Sequence, residues 1–171
     1  PQKGADPDMA KDLDSHLKKF SDLISEQLGK DVGEIPGAGA AGGLGAGLIA
    51  FLDGELANGV SIIAAKTGLD AATAKADIVI TGEGGIDFQT QFGKTPYGVA
   101  QSAKKHGKPV IAVEGTIGDG VEKLYTKGID VVISILDKPL SLEKAIQQTP
   151  ALLEATGEKI GRLLIIGQGL K

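Results

Sequence analysis

The chain has 171 residues, enough for one ordinary domain or parts of two, and 42% of them are hydrophobic, so a sizeable core can be buried. Only 4% are aromatic, which makes that core aliphatic and leaves little for stacking on bases or sugars. A net charge of −4 argues against a nucleic-acid partner, which needs clustered Lys and Arg, and the lack of cysteine removes disulfides, thiol catalysis and cysteine-ligated metal.

No apolar run approaches the roughly 20 residues that span a bilayer, and no basic n-region precedes an apolar h-region. The expectation is a cytoplasmic protein without a membrane partner. The sequence opens Pro1-Gln2-Lys3-Gly4 directly ahead of a helix start, and so reads as a piece of a longer product.

In chain order, Asp6-Pro7 predicts a helix start, with proline where its missing N–H does no harm. Met9, Leu13, Leu17, Phe20, Ile24 and Leu28 then recur at three and four as one apolar stripe, and Gly29 ends the helix. From Pro36 to Gly59 the front half is almost entirely Gly and Ala. The back half carries Leu44, Leu48, Phe51, Leu52 and Leu56 at helical spacing, and Asn58-Gly59 closes it. Interior glycines cost about 1 kcal/mol each in a helix, so close backbone approach is the expected gain.

Val60 to Ala64 predicts a short strand, and Thr67 a cap for a helix over Gly68 to Lys75. A buried strand opens at Asp77 with Ile78, Val79 and Ile80. It is expected to break at Thr81-Gly82-Glu83-Gly84-Gly85. Thr95-Pro96 reads as the N-cap and first residue of a helix to His106. Pro109 to Val113 and Ile129 to Leu136 are further strands, with a helix from Gly120 to Lys127 between them, capped by Asp119. Ser141 caps a helix that stops before Thr149-Pro150, and Ala151 to Ile166 forms a last one.

Apolar strands alternating with helices mean βαβ units. The predicted class is α/β: a partial, parallel, Rossmann-like sheet with helices on both faces, over residues 60–171. Residues 1–59 read as a Gly/Ala-rich helical segment of a second α/β domain. Four short strands are few for a doubly wound sheet, which again suggests a missing part.

Gly37-x-Gly39-x-x-Gly42 matches a dinucleotide fingerprint as a string, but no strand precedes it, and Asp53 and Glu55 come too early for a ribose contact. It reads either as a glycine-faced packing surface or as a helix N-terminus that offers N–H groups to an anion. The stronger signal is Glu83 to Lys94, which brings Glu83, Asp87, Gln89, Thr90 and Lys94 together after a strand. In open α/β sheets ligands sit beyond the carboxyl ends of strands. Two carboxylates there suit Mg²⁺, or one of them orients or deprotonates a hydroxyl. Lys94 offsets phosphate charge. The plainer alternative is a capped turn in which Asp87 and Thr90 bond nearby backbone. Glu114-Gly115-Thr116 either lines the same crevice or is a strand-end turn, and His16 and His106 are both lone.

The stretches P-Q-K-G-A-D-P, G-A-G-A-A-G-G-L-G-A-G-L, A-D-I-V-I-T-G-E-G-G-I-D-x-Q-T-x-x-G-K-x-P and H-G-K-P-V-I-A-V together resemble the C-terminal half of a type I glycerate kinase. The resemblance implies a two-domain α/β enzyme of roughly twice this length. It would transfer the γ-phosphoryl group of ATP to glycerate with Mg²⁺ in an interdomain cleft. It also implies an N-terminal half that is absent here and whose residues catalysis would need, so that the fragment alone would be inactive. Glu83 and Asp87 would be catalytic or Mg²⁺ ligands. Lys94, Gln89 and Thr90, with Lys3, Gly37, Gly39 and Gly42, would meet substrate or phosphate. Where the family usually has arginine this chain has Gly85, which removes a cation from the most polar loop. A homodimer is the expected assembly if apolar surface is left uncovered. The alternative to a kinase is a non-catalytic ligand-binding or assembly module that keeps the fold.

Overall fold

The structure, a computed structural model, describes residues 4–169. The chain divides into two units, Pro1–Ala57 and Asn58–Lys171.

The described residues of the first unit form two helices. In α1 (Pro7–Leu28) Asp6 is the cap, accepting the Met9 N–H at 2.8 Å, and Gly29 ends it in the left-handed conformation. Of the predicted stripe only Ile24 is buried, while Met9, Leu13, Phe20 and Leu28 stay exposed. α2 (Ala40–Leu52) departs from helical geometry at Ala41, Gly42 and Gly43, all with positive φ, so the glycine-dense front is a tight turn rather than regular helix. The expected close approach occurs at Gly45, where a Cβ would stand 3.1 Å from Ala38 and from the Gly37 carbonyl. The helix stops at Leu52, short of the predicted Leu56. Asp53 turns left-handed there, and its carboxylate meets Lys30 at 2.6 Å. Ile24, Val32, Ala38, Ala46 and Ala50 form the core of this unit.

The second unit begins with a correction. Val60 to Ala64 is not a strand but lies in α3 (Gly59–Thr67). The Asn58 side chain accepts the Ser61 N–H at 3.2 Å, so the residue that reads as a stop is a start. α4 (Leu69–Lys75) follows Gly68 without a side-chain cap, and the Thr67 hydroxyl bonds back to Ile63 instead. Three strands rather than four then make the sheet: β1 (Val79–Ile86), β2 (Val110–Ile117) and β3 (Val131–Ser134), parallel and in the order 1-2-3.

β1 does not break at its glycines. It pairs with β2 from Val79 opposite Val110 to Ile86 opposite Ile117. The glycines make that pairing possible, because a Cβ at Gly82 would run into the Val113 carbonyl oxygen. After β1, a short 3₁₀ segment (Phe88–Phe92) leads to α5 (Thr95–Lys105), whose N-cap is Lys94, one residue earlier than predicted. A second 3₁₀ segment, Val121–Lys127, stands where an α-helix capped by Asp119 is expected, and Gly120 is its cap. The two predicted final helices are one, α6 (Leu142–Gln168), capped by Ser141 and running through Pro150. One face of the sheet packs against α5 through Val79, Val110, Ala112, Ala100 and Ala103, with Leu124 and Ile129 closing the core.

Candidate active site

The site is built by register. Glu83 on β1 lies opposite Glu114 on β2, near the carboxyl ends of both strands. Side chains alternate along a strand, so both glutamates leave the sheet on the face that carries Val79, Val110 and Ala112. Glu83 is exposed, whereas Glu114 is fully buried. Glu114 Oε2 accepts the Glu83 N–H at 3.0 Å, and among the described residues Oε1 has no partner. Burial pushes the Glu114 carboxyl up to about 7. The Glu83 charge adds to the rise, while the Glu83 N–H and the Lys94 ammonium work against it.

Asp87 sits at the next turn. It caps the 3₁₀ segment by accepting the Gln89 N–H at 2.9 Å, and the Thr90 hydroxyl accepts the Asp87 N–H at 3.3 Å. Lys94 Nζ lies 3.5 Å from Asp87 Oδ1, with both side chains about a third exposed. Lys94 is also the residue from which α5 departs, so the unpaired amides of the first helical turn open beside the same cluster.

Of the sequence-predicted residues, the structure pairs Asp87 with Lys94, with Gln89 and Thr90 in the connecting turn, while Glu83 and Lys94 both act on Glu114. Thr90 is buried, and its hydroxyl is used within the cap. That is the plainer reading of the turn, and it coexists with the cluster. Gly37, Gly39 and Gly42 belong to the first unit; Gly37 and Gly42 have positive φ and Gly39 precedes α2. Lys3 lies outside the described residues. His106 stands 3.3 Å from Asp70, away from these groups.

Glu114 is the residue that sequence reasoning left undecided. Its signal was the period-two run Val110, Ala112, Glu114, which puts a carboxyl on the buried face of an apolar strand. Among the described residues no three His, Asp or Glu side chains gather to hold a metal ion, so the carboxylates here offer part of a coordination shell at most.

A parallel sheet with acidic groups, a lysine and a helix start at the carboxyl ends of its strands defines an α/β protein of the kind that holds ligands at that end. Comparison with known proteins narrows the class. A model described as the glycerate kinase family matches residues 1–165. The glycerate kinase of Halalkalibacterium halodurans is 51% identical over 160 residues, covering 94% of this chain and 42% of the relative. The glycerate 2-kinase of Escherichia coli is 41% identical over 167 residues, covering 98% and 44%. Among solved structures, the crystal structure of a protein assigned as glycerate kinase 2 from Salmonella typhimurium LT2 matches with a TM-score of 0.74 at 41% identity, covering 98% of this chain and 43% of that one. The chain belongs to the glycerate kinase family. It spans less than half the length of the relatives it matches, in their C-terminal part. Among the described residues no helix is long and apolar enough to cross a membrane.

Proposed function

We propose that this chain supplies part of the site at which a glycerate kinase moves the γ-phosphoryl group of ATP onto a hydroxyl of glycerate. The observation that carries the reading is the unpaired Glu83 carboxylate opposite Glu114 at the carboxyl ends of β1 and β2, with the Asp87–Lys94 pair at the turn that leads from β1 to α5.

Within it the roles separate by what is already engaged. Among the described residues the Glu83 carboxylate makes no ion pair or side-chain hydrogen bond, so it is the group available to a substrate. Asp87 is held by its cap and holds Lys94 in turn. Glu83 orients the glycerate hydroxyl and takes its proton as the oxygen–phosphorus bond forms and ADP leaves. Lys94 and the first amides of α5 offset charge on the phosphate oxygens. The donor set fits Mg²⁺, which takes hard oxygen ligands and usually one or two carboxylates. Asp87 would hold it, with phosphate oxygens and water completing its shell, and bound there it would neutralise phosphate charge.

Gly85 and the local use of Asp87 favour a second reading, a ligand-binding or assembly module that keeps the fold without turnover. A coupled kinase assay on the gene product at its natural length separates the two. Glu83→Gln is expected to lower kcat by about 10²–10⁴-fold, the usual contribution of a positioned acid or base. Asp87→Asn is expected to raise KM for ATP through loss of the Lys94 anchor. Absence of turnover in the unaltered gene product would leave the module reading, and unchanged kinetics in both variants would remove Glu83 and Asp87 from these roles.

A further inference from the structure

Glu114 is a buried titratable group to which phosphoryl transfer, as described above, gives no part. It takes the third inward position of β2, after Val110 and Ala112, and all three are fully buried. An aliphatic side chain would continue that face at no polar cost. The carboxyl instead leaves Oε1 buried and, among the described residues, without a partner, which lowers stability. The charged groups that bear on it are Glu83 of β1 and Lys94 at the start of α5. On β3 the residue opposite is Ser134, whose hydroxyl donates to the Gly115 carbonyl at 3.5 Å.

What the carboxyl does hold is one peptide. Oε2 accepts the Glu83 N–H at 3.0 Å, across the strand pair. The bond does not depend on charge, because a carboxyl protonated on Oε1 still offers Oε2 as an acceptor. Glu83 is a residue that such a tether would serve. Its side chain is exposed, so its backbone decides where the carboxylate stands. Gly84 follows, with the backbone freedom of a residue that has no Cβ. A Cβ there would meet nothing within 4 Å, so packing does not restrain it either. Glu114 ties down the peptide immediately before that position.

We infer that Glu114 is a positioning residue for phosphoryl transfer: its carboxyl clamps the Glu83 peptide to β2 and so fixes where the Glu83 carboxylate stands when it meets the glycerate hydroxyl. The inference rests on the proposed role of Glu83 as the base, and adds to it a residue that touches no substrate. A misplacement of about 1 Å in a reacting group costs on the order of 10²-fold in rate.

The gene product at natural length is assayed for kcat and KM as Glu114→Met, Glu114→Gln, Glu83→Gln and the double variant Glu83→Gln with Glu114→Met. Methionine has much the length of glutamate and offers the N–H only a weak acceptor. Glu114→Met is expected to lower kcat by about 10–100-fold, with KM for ATP and for glycerate held to within about twofold. Glu114→Gln keeps the oxygen and is expected to recover most of that loss. In the Glu83→Gln background Glu114→Met is expected to cost little more, because a residue that acts through Glu83 then has nothing left to position.

A loss in Glu114→Gln as large as in Glu114→Met overturns the inference, since the carboxyl would then act as more than an acceptor. Losses that multiply in the double variant overturn it, because Glu114 would act independently of Glu83. A lower thermal midpoint in Glu114→Met with kcat per folded site unchanged makes the residue structural only, with the same result. Should Glu114→Met not fold, Glu114→Ala removes the acceptor without placing a longer apolar group in the core. Full kcat in Glu83→Gln removes the base, and the inference falls with it. A slow Glu83→Gln beside an unaffected Glu114→Met removes the clamp and leaves the base in place.

Discussion

Neither oxygen of the Glu114 carboxyl meets water, and only Oε2 has a donor. Burial is the main reason its pKa rises from 4.5 to about 7. The folded protein therefore binds this proton more tightly than the unfolded chain. Its contribution is full below pH 4.5 and is lost as pH rises through 7, at a cost of about 3 kcal/mol for a shift of this size. Glu114→Gln keeps an oxygen for the Glu83 N–H and never ionises. The variant is expected to hold its stability between about pH 4 and 8, a window bracketing those pKa values, while the parent loses it. Urea unfolding at the two ends of that window, with EDTA present, checks this. A parent as stable at the upper pH as at the lower would disprove it. Gly85 is a second residue whose neighbour matters. A Cβ there would lie 2.7 Å from Thr116 Oγ1. Gly85→Ala is expected to cost about 1–3 kcal/mol as overpacking, and a Thr116→Ala background to relieve it, read by a double-mutant cycle. Any larger side chain at this position, arginine included, first requires Thr116 to turn.

At the scale of elements, α3 and α5 meet at Val60 and Gly98, where a Cβ on Gly98 would collide with Val60 Cγ1. In a free helix Gly→Ala gains about 1 kcal/mol. Here Gly98→Ala is expected to destabilise, and Val60→Ala to restore much of the loss. Additive single and double variants in denaturant unfolding would show that the contact does not matter. The strand α5–β2–β3 junction depends on Asp130, whose Oδ2 lies 2.6 Å from both the buried Val110 N–H and Lys104 Nζ. Asp130→Ala leaves that N–H without its acceptor and is expected to cost about 1–3 kcal/mol. Lys104→Ala, which only breaks a partly exposed ion pair, is expected to cost less.

These contacts also show what local pattern can carry. The span of α1, the buried β2 and the caps Asp6 and Ser141 were legible because each is decided within a few residues. Val60 to Ala64 was not, because its β-branched run favours a strand and only the Asn58 cap and the packing on Gly98 make it a helix. The run Gly82 to Gly85 looked like an end to pairing, and only the register with β2 shows glycine admitting a neighbouring carbonyl. The turn that pairs Asp87 with Lys94 could be read from spacing. The burial of Glu114 required knowing which strand lay beside which.

At the scale of the whole molecule, charge and length together limit what the chain does alone. Stabilising a transferring phosphoryl group takes several positive groups around the phosphates of ATP. Among the described residues of the cluster Lys94 is the one cation, and Asp87 already shares it. Gly85 supplies none. The relatives matched are more than twice as long, and the remaining cations would come from that additional length. The 171-residue chain is therefore expected to show no turnover of glycerate and ATP in the coupled assay. Saturating ATP with magnesium is expected to leave its thermal midpoint unmoved, since a ligand stabilises only by what it binds in the folded state. The gene product at natural length is expected to show both turnover and a rise in midpoint with ATP. A clear ATP-dependent rise in the 171-residue chain would mean that its own residues suffice to hold the nucleotide, and the division of labour argued from Lys94 would fall.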